Sequence, residues 1–328
     1  MREPAFWWRK AGLAAGLLAP VAVCYGVIAA RRMARKGRRA AVPVLCVGNF
    51  THGGAGKTPT VVTLGKMLQE AGKRPFFLSR GYGGSLAGPR LVDANSDGAA
   101  LVGDEAALLA RVAPTIIARD RVAGAQAAAA AGADVIVMDD GLQNGSLAKD
   151  LTLAVVDGRR GLGNTCVFPA GPLRAPLAAQ LAYSDALLVI GSGEGAREIA
   201  AAGLPMFHGR LLADTAHIAE LKARRVLAFA GIGDPEKFFA TAAEAGIVVA
   251  QSQPFPDHHR FTAEEAAWLI MRAEHDGLAL LTTEKDRARM AGEPLLAALA
   301  EKTHVLPVTL VVEEADALQA LVLARLRR

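Results

Sequence analysis

The feature that most restricts how this 328-residue chain can fold is a succession of three segments within residues 42–71. Val42–Phe50 is a short apolar run rich in valine, which is typical of a buried strand. A glycine-rich loop follows it directly. Pro59–Ala71 then carries apolar residues at helical spacing, namely Val61, Leu64, Met67 and Leu68. A strand, a loop and a helix in this order predict the first unit of a parallel α/β sheet.

The loop between this strand and helix has the sequence THGGAGKT. Its glycines allow backbone N–H groups to converge on phosphate oxygens, and the next helix directs its positive end at them. Lys57 is predicted to reach the β- and γ-phosphates, and Thr58 to place its hydroxyl on Mg²⁺. A plain glycine-rich turn is the alternative, since the strict pattern has glycine at position 51. The flanking strand and helix favour nucleotide binding by Thr51, His52, Gly53, Gly54, Ala55, Gly56, Lys57 and Thr58.

The alternation of strand and helix continues along the chain. Strands are predicted at 75–79, 115–118, 134–138, 151–156 and 186–190, with helical runs such as 105–112 and 122–131 between them. This pattern indicates an α/β fold of the P-loop NTPase type, with a mainly parallel sheet and helices on both faces.

A second, smaller α/β domain is predicted after a weaker region. Residues 206–225 contain polar, strand-like segments, and a new apolar strand begins at Val226. Helices are expected at 235–245 and 263–275, and strands at 247–250, 278–282 and 305–312. The predicted organisation is therefore an N-terminal helix with a basic flank at 1–40, a nucleotide-binding domain at 41–205, a linker at 206–225 and a smaller domain at 226–328, whose C-terminal segment can pack back.

Charge is distributed unevenly along the chain. The formal net charge is +5, but residues 1–40 hold nine Lys/Arg and one acid, so the remaining residues carry a net −3. Nucleic-acid binding needs a basic face on the folded domain, and this distribution argues against it. The three cysteines have neither disulfide nor metal-ligand spacing, which favours a reduced, cytosolic body.

The basic N-terminal region contains an uncharged stretch of 20 residues, Ala11–Ala30. As a helix it would be about 30 Å long, one hydrocarbon thickness. Trp7 and Trp8 precede it and six cations follow it, so the following flank is expected to stay cytoplasmic. A cleaved secretory signal is the alternative, but cations directly after the apolar core oppose translocation. The sequence predicts a membrane anchor and leaves open whether the helix spans the bilayer or lies in one leaflet.

Carboxylates follow the predicted strands at the same sheet edge as the glycine-rich loop. The run 135–138 ends in Asp139 and Asp140, a Walker B arrangement in which a carboxylate can hold Mg²⁺. Two acids that merely end a strand are the alternative. Asp104 starts a predicted helix, and by itself this position indicates an N-cap.

Cations and histidines supply further candidates. Arg80 and Arg119 follow predicted strands, where a guanidinium could bind a transferring phosphate, and salt bridging is the alternative. The segment Pro256–Phe261, with His258 and His259, precedes a helix that Thr262 could cap. A proton-relay role for these histidines competes with a plain surface turn, whereas a zinc site is not indicated.

Taken in order, several short motifs resemble the tetraacyldisaccharide 4′-kinase family of lipid A biosynthesis over nearly the whole chain. These are THGGAGKT, RGYGG, VGDE, RDR, MDDG, FPAGPLR at 168–174, PDHHRF and TTEKD at 282–286. The resemblance implies that ATP phosphorylates the 4′-hydroxyl of a tetraacylated glucosamine disaccharide 1-phosphate at the cytoplasmic face of the inner membrane. It also implies two α/β domains joined by a β-ribbon, which would suit residues 206–225. We predict no obligate protein partner.

The resemblance also implies roles for individual residues. Lys57 and Thr58 match the phosphate and Mg²⁺ ligands, and Asp139 and Asp140 match the acids on the metal side. Asp104 corresponds to the proton acceptor, with His258 as the second-domain histidine that pairs with it. We add Arg119 as a candidate for binding the transferring phosphate.

Two other classes of protein remain as alternatives. A membrane-associated switch ATPase of the partitioning or targeting type has similar GGxGKT loops, but it normally carries lysine where this chain has His52, and it needs no PDHHRF segment. A non-catalytic anchored scaffold is disfavoured because Lys57, Thr58 and Asp139 are all present.

Overall fold

The computed structural model describes residues 3–193, 195, 199, 200, 202–214, 218–221, 224–291 and 293–326. Within these residues the strands are β1 (Val44–Asn49), β2 (Pro75–Ser79), β3 (Arg90–Leu91), β4 (Thr115–Ile117), β5 (Val135–Asp139), β6 (Leu151–Asp157), β7 (Ala186–Ile190), β8 (Met206–Ala213), β9 (Arg225–Ala230), β10 (Val248–Pro254), β11 (Ala279–Thr283), β12 (Thr303–Leu306) and β13 (Val308–Val312). The helices are α1 (Leu13–Met33), α2 (Lys57–Glu70), α3 (Ala99–Val102), α4 (Asp104–Leu109), α5 (Arg121–Ala130), α6 (Leu177–Ala182), α7 (Pro235–Glu244), α8 (Ala263–His275), α9 (Glu284–Met290), α10 (Ala297–Lys302) and α11 (Ala315–Leu326).

The larger of two sheets has nine strands in the order β13-β8-β7-β6-β1-β5-β2-β4-β3. Neighbouring strands run parallel except at the two edges, where β13 and β3 are antiparallel to their partners. The central strand β1 lies between β5 and β6, and Val47 is level with Asp139 across the β1–β5 pair. The loops that leave these three strands therefore meet at one sheet edge.

Helices cover both faces of this sheet, because its strands are apolar on both sides. On one face, α2 and α11 pack through Leu64, Leu68, Leu318 and Val322. On the other, α5 packs through Ala125 and Ala128, while Leu177 and Leu181 of α6 join a neighbouring cluster. The α/β class and the parallel arrangement expected from the sequence are confirmed.

The smaller sheet has four parallel strands in the order β10-β9-β11-β12. Helix α7 covers one face with Phe238 and Phe239, and α8 and α10 cover the other with Leu269 and Leu299. Thr262 begins α8 with a capping box, since its hydroxyl accepts from the Glu265 backbone N–H and the Glu265 side chain accepts in return.

The strand predicted at 305–312 is wrong as a single element. It divides into β12 in the smaller sheet and β13 in the larger one, with Pro307 between them. Proline has no backbone N–H to donate to a strand neighbour and interrupts the pairing at this point. The proposed linker region begins with β8, which joins the larger sheet, and its residues 215–217, 222 and 223 lie outside the described part of the chain.

Helix α1 is long and apolar enough, by length and composition, to cross a membrane. One stripe of it is buried against the body, namely Ala15, Ala22, Gly26 and Met33. The opposite side exposes apolar side chains, among them Leu13, Leu17, Val21 and Ile28. The helix thus packs on the protein through three small residues and Met33, and it presents apolar surface outward.

Candidate active site

The phosphate loop leaves β1 at Asn49 and enters α2 at Lys57. Gly53 and Gly56 have φ angles of 94° and 95°, in the left-handed region where glycine lacks the penalty of a Cβ atom. The Asn49 amide nitrogen donates to the Thr51 carbonyl at 2.7 Å, and its amide oxygen accepts from Lys57 Nζ at 3.1 Å. This side chain therefore holds the lysine ammonium over the loop, where a bound anion is expected.

Arg174 joins the phosphate loop to Asp140, a role that sequence reasoning missed. Its Nε donates to the Thr51 carbonyl at 2.9 Å, and its Nη1 donates to both Asp140 carboxylate oxygens at 2.7 and 2.9 Å. Lys57 Nζ lies 3.8 Å from the same carboxylate. Burial alone raises the pKa of Asp140, but the two cations outweigh it and the net pKa is well below the ordinary value. Asp140 is thus a charged partner of cations.

Asp139 is in a different environment, although it is the adjacent residue. Its side chain is buried, and its Oδ1 has no hydrogen-bond partner among the described residues. Burial, with Glu105 and Asp140 nearby, raises the pKa of Asp139 to about 7. A divalent cation would supply both the missing partner and the opposite charge, so this carboxylate fits Mg²⁺. The buried Thr58, in the first turn of α2, is the matching hydroxyl.

We call the larger sheet with its helices the nucleotide-binding layer, and the smaller sheet with its helices the smaller layer. Asp104 lies where these two layers meet. Its Oδ2 accepts from Nε of Arg289 at 3.0 Å and from Nη2 of the same guanidinium, and it lies 3.5 Å from Nδ1 of His258. Burial raises the pKa of Asp104. The hydrogen bond with His258 and the charge of Arg289 lower this pKa by more than burial raises it, so the net pKa is far below normal. The sequence-predicted pair of Asp104 and His258 is therefore in contact, and Asp104 is a charged carboxylate.

His258 reaches Asp104 from a turn of the smaller layer. Its φ of 56° is left-handed, which is uncommon for a residue with a Cβ atom and often marks functional loops. The backbone N–H donates to the Gly231 carbonyl at 3.0 Å, and the ring packs against Tyr82 with centroids 4.9 Å apart. Burial lowers the pKa of His258, but Asp104 and Asp257 outweigh it and raise the pKa overall.

Helix α9 brings two cations to the paired acids at the start of α4. Lys285 Nζ donates to Glu105 Oε1 at 3.0 Å, one turn before Arg289 on the same helix. Carboxylate and ring-nitrogen atoms of Asp104, Glu105 and His258 lie within 4.8 Å of one another, so this group could also hold a metal ion. The TTEKD motif containing Lys285 was recognised in the sequence, but its contacts were not predicted.

The two arginines expected to bind phosphate, Arg80 and Arg119, are exposed, whereas two other arginines make buried or loop contacts. The Arg119 side chain is exposed at the end of β4, as is Arg80 after β2. Arg121 is buried, and its guanidinium donates to the Ala118 carbonyl at 2.8 Å and to the Asp139 carbonyl at 3.4 Å. Arg174, rather than Arg119, is the guanidinium that contacts the phosphate loop.

His52 gives the phosphate loop a pH-dependent contribution to stability. Burial and the nearby Arg174 lower its pKa to about 4, from 6.5 for an exposed histidine. The unfolded chain therefore binds more protons as pH falls from 6.5 towards 4, and stability is lost in that window. Between pH 8 and pH 5 we expect the loss from this group to be about 2 kcal/mol.

This expectation is measured by denaturant unfolding of the nucleotide-free protein at the two pH values. The His52→Phe variant keeps an aromatic ring at the position but cannot bind a proton. Wild type should lose about 2 kcal/mol more than the variant on going to pH 5. Equal losses for the two proteins would show that His52 is not held neutral by its surroundings.

Comparison with known proteins agrees with this geometry. Residues 14–327 match the family model described as tetraacyldisaccharide-1-P 4′-kinase, LpxK. A protein named tetraacyldisaccharide 4′-kinase from Methylobacterium sp. (strain 4-46) is 57% identical over 331 residues, covering 99% of this chain and 97% of that protein. One of the same name from Rhodopseudomonas palustris (strain BisB5) is 52% identical over 332 residues, covering 100% and 98%.

A solved structure shares the fold over nearly the whole length. LpxK from Aquifex aeolicus, crystallised in complex with ATP, superposes with a TM-score of 0.72 at 27% identity, covering 96% of this chain and 100% of that one. Strand order, phosphate loop, paired acids and the match over residues 14–327 all lead to one assignment. The chain belongs to the tetraacyldisaccharide 4′-kinase family.

Proposed function

We propose that this protein transfers the γ-phosphoryl group of ATP to the 4′-hydroxyl of a tetraacylated glucosamine disaccharide 1-phosphate, a step of lipid A biosynthesis. Family membership supports the kinase activity, and the ATP-bound relative from Aquifex aeolicus supports ATP as the donor. The observation that carries the proposal is the contact of Asp104 with His258 at the same sheet edge as the phosphate loop.

Asp104 is the proposed proton acceptor and His258 its orienting partner. Phosphoryl transfer depends mainly on positioning and on neutralising charge, and proton removal from the acceptor hydroxyl needs a carboxylate within hydrogen-bond reach. Arg289 and His258 keep Asp104 charged, so it can accept a hydrogen bond from that hydroxyl. The histidine belongs to the smaller layer, so the catalytic pair forms only when the two layers meet.

Lys57 would balance charge on bound phosphates, together with Mg²⁺ when that ion is bound. We assign Thr58 and Asp139 as the residues that hold the metal, because Asp139 is a buried carboxylate with one oxygen that has no hydrogen-bond partner among the described residues. Asp140 was expected to share this role, but its contacts with Arg174 and Lys57 indicate that it orients these cations instead. Bound Mg²⁺ would neutralise developing charge on the β- and γ-phosphate oxygens. Arg119 stays a prediction for an acceptor or phosphate contact.

The membrane assignment follows from how α1 is attached. On the N-terminal side of α1, Trp7 Nε1 donates to the Pro169 carbonyl at 3.1 Å. On the C-terminal side of α1, Arg38 N donates to the Ser146 carbonyl at 2.8 Å. Both ends are therefore bound to the same body, and a helix that crossed the bilayer would separate them. We propose that α1 lies within one leaflet of the inner membrane at its cytoplasmic face, with its exposed apolar side in the lipid.

The function is tested by incubating the protein with γ-labelled ATP, Mg²⁺ and vesicles that contain the monophosphorylated, tetraacylated disaccharide. We expect label in a bis-phosphorylated glycolipid, because the acceptor hydroxyl is then held at Asp104. Soluble sugars and nucleosides are the controls and should stay unlabelled.

The switch-ATPase alternative gives a different result in the same assay. It would hydrolyse ATP in response to a protein partner, and no lipid would become labelled. Phosphate release without any labelled glycolipid, from protein that binds ATP, would contradict the kinase assignment. A scaffold would fail at the earlier step of binding ATP.

A further inference from the structure

The segment before α1 packs against one side of the phosphate loop. Residues 3–8 carry the Glu3 carboxylate, the Trp7 ring and the Trp8 ring to this place, only a few residues ahead of the membrane helix. Trp7 is 5% exposed, so its ring is part of the folded core and not a free interfacial anchor. Neither the phosphoryl-transfer chemistry nor the anchoring of α1 requires a buried tryptophan here.

Trp7 contacts the phosphate loop through His52. The two ring centroids are 6.0 Å apart, and Phe168 lies 5.3 Å from His52 and 6.0 Å from Trp7. Tyr25 of α1 lies 5.3 Å from Phe168 on its far side. We call Trp7, Tyr25, His52 and Phe168 the aromatic cluster; it joins the membrane helix to the second residue of the phosphate loop.

Hydrogen bonds hold Trp7 in a fixed position. Its Nε1 donates to the Pro169 carbonyl at 3.1 Å, and its backbone carbonyl accepts from Asn164 N at 2.7 Å. The His52 backbone N–H donates to the Pro172 carbonyl at 2.8 Å, so ring and loop rest on the same 164–172 segment. A displacement of Trp7 would therefore be transmitted to His52.

Glu3 makes a second contact between this segment and the loop. Its carboxylate packs directly on Gly53, at the place where a side chain on that residue would point. The same carboxylate accepts from Trp8 Nε1 at 3.1 Å and from Arg160 Nη1 at 3.2 Å. Arg160 in turn pairs with Asp234 of the smaller layer at 2.8 Å. The segment thus contacts two consecutive loop residues, His52 and Gly53.

We propose that Trp7 is a positioning residue for nucleotide binding: by packing on His52 it fixes the shape of the phosphate loop and connects the seating of the membrane helix to the affinity for ATP. This rests on the proposed function only in that ATP is the donor. A loop that binds phosphate through backbone N–H groups loses affinity when those groups are not held in place beforehand. Aromatic pairs of this geometry account for up to about tenfold in an equilibrium constant.

The test measures the dissociation constant for ATP in the full-length protein on vesicles, without any lipid acceptor. Trp7→Ala should weaken ATP binding by about tenfold, whereas Trp7→Phe should restore most of the affinity because it keeps a ring against His52. Trp268→Ala, in the smaller layer, is the matched control and should bind ATP as wild type does. With the acceptor present, Trp7→Ala should raise KM for ATP and leave kcat at saturating ATP within about threefold.

Unchanged ATP affinity in folded Trp7→Ala would overturn the proposal, whether or not kcat is lowered. If Trp7→Ala does not fold, the double variant Trp8→Phe/Trp268→Phe leaves Trp7 as the only tryptophan, since the chain has three. Saturating ATP should then change Trp7 emission, and constant emission would equally overturn the proposal. Because ATP affinity and Trp7 emission are measured without the acceptor, a failure of lipid phosphorylation alone would count against the proposed function and not against Trp7.

Discussion

Asp104→Asn is expected to lower kcat by about 10²–10⁴-fold while ATP binding stays within about twofold of wild type. Asparagine has nearly the same shape but cannot accept the proton of the acceptor hydroxyl. Lys57 is held by Asn49 and Asp140 rather than by Asp104, so the nucleotide contacts made by Lys57 should be retained. Steady-state kinetics on vesicles containing the acceptor, together with the dissociation constant for ATP, separate the two effects.

Asp104→Asn also removes a charged partner of the buried Arg289, so the stability of this variant must be measured as a control. Removing one charge of a buried pair can destabilise a protein by about 3–5 kcal/mol. Arg289 keeps a second carboxylate partner, since its Nη1 also donates to Asp286 at 2.8 Å, and this contact limits the loss. Thermal unfolding should establish that the variant is folded, and Asp316→Asn, at an exposed position on α11, should behave as wild type. Near-normal turnover of folded Asp104→Asn at saturating substrate would remove Asp104 from the mechanism.

Lys57→Met is expected to have the second large effect, a loss of about 10²–10³-fold in kcat/KM for ATP. The ammonium group lies between Asn49 and Asp140 at the start of α2, where it can neutralise phosphate charge. Methionine keeps much of the apolar length of the side chain but supplies no charge and no donor. Lys66→Met on the exposed side of the same helix is the matched control. Equal kinetics for the two variants would mean that phosphates bind elsewhere.

The phosphate loop and its neighbouring strands could be predicted from the sequence because their signals are local. Strand β1, the glycines and the GKT triplet are contiguous, and the Asp139–Asp140 pair follows a run of four buried apolar residues. Parallel strands place their carboxyl ends at one edge, so local motifs were sufficient to bring these groups together. The resemblance to a family then supplied the pairing of Asp104 with His258, which no spacing rule contains.

The cations around the acids could not be predicted in the same way. Arg174, Lys285 and Arg289 reach their carboxylates from segments far away in the chain; for Arg289 and Asp104 the separation is 185 positions. Arg119 is the candidate in the sequence because it follows a predicted strand, whereas Arg174 follows none; packing exposes the first and brings the second to Thr51. The same applies to β12 and β13, because Pro307 signals a break without indicating that the chain moves to another sheet.

The last strand has a consequence for how the protein is made. Strand β13 pairs with β8 at the edge of the larger sheet, and Leu318 and Val322 of α11 fill part of its core, although β13 and α11 follow all four strands of the smaller sheet in the chain. On the ribosome, the nucleotide-binding layer therefore keeps one edge open until residues 308–326 have been made, whereas the strands of the smaller sheet are complete before them. A chain truncated before β13 would leave β8 as an unprotected edge strand, prone to aggregation, rather than form a shorter enzyme.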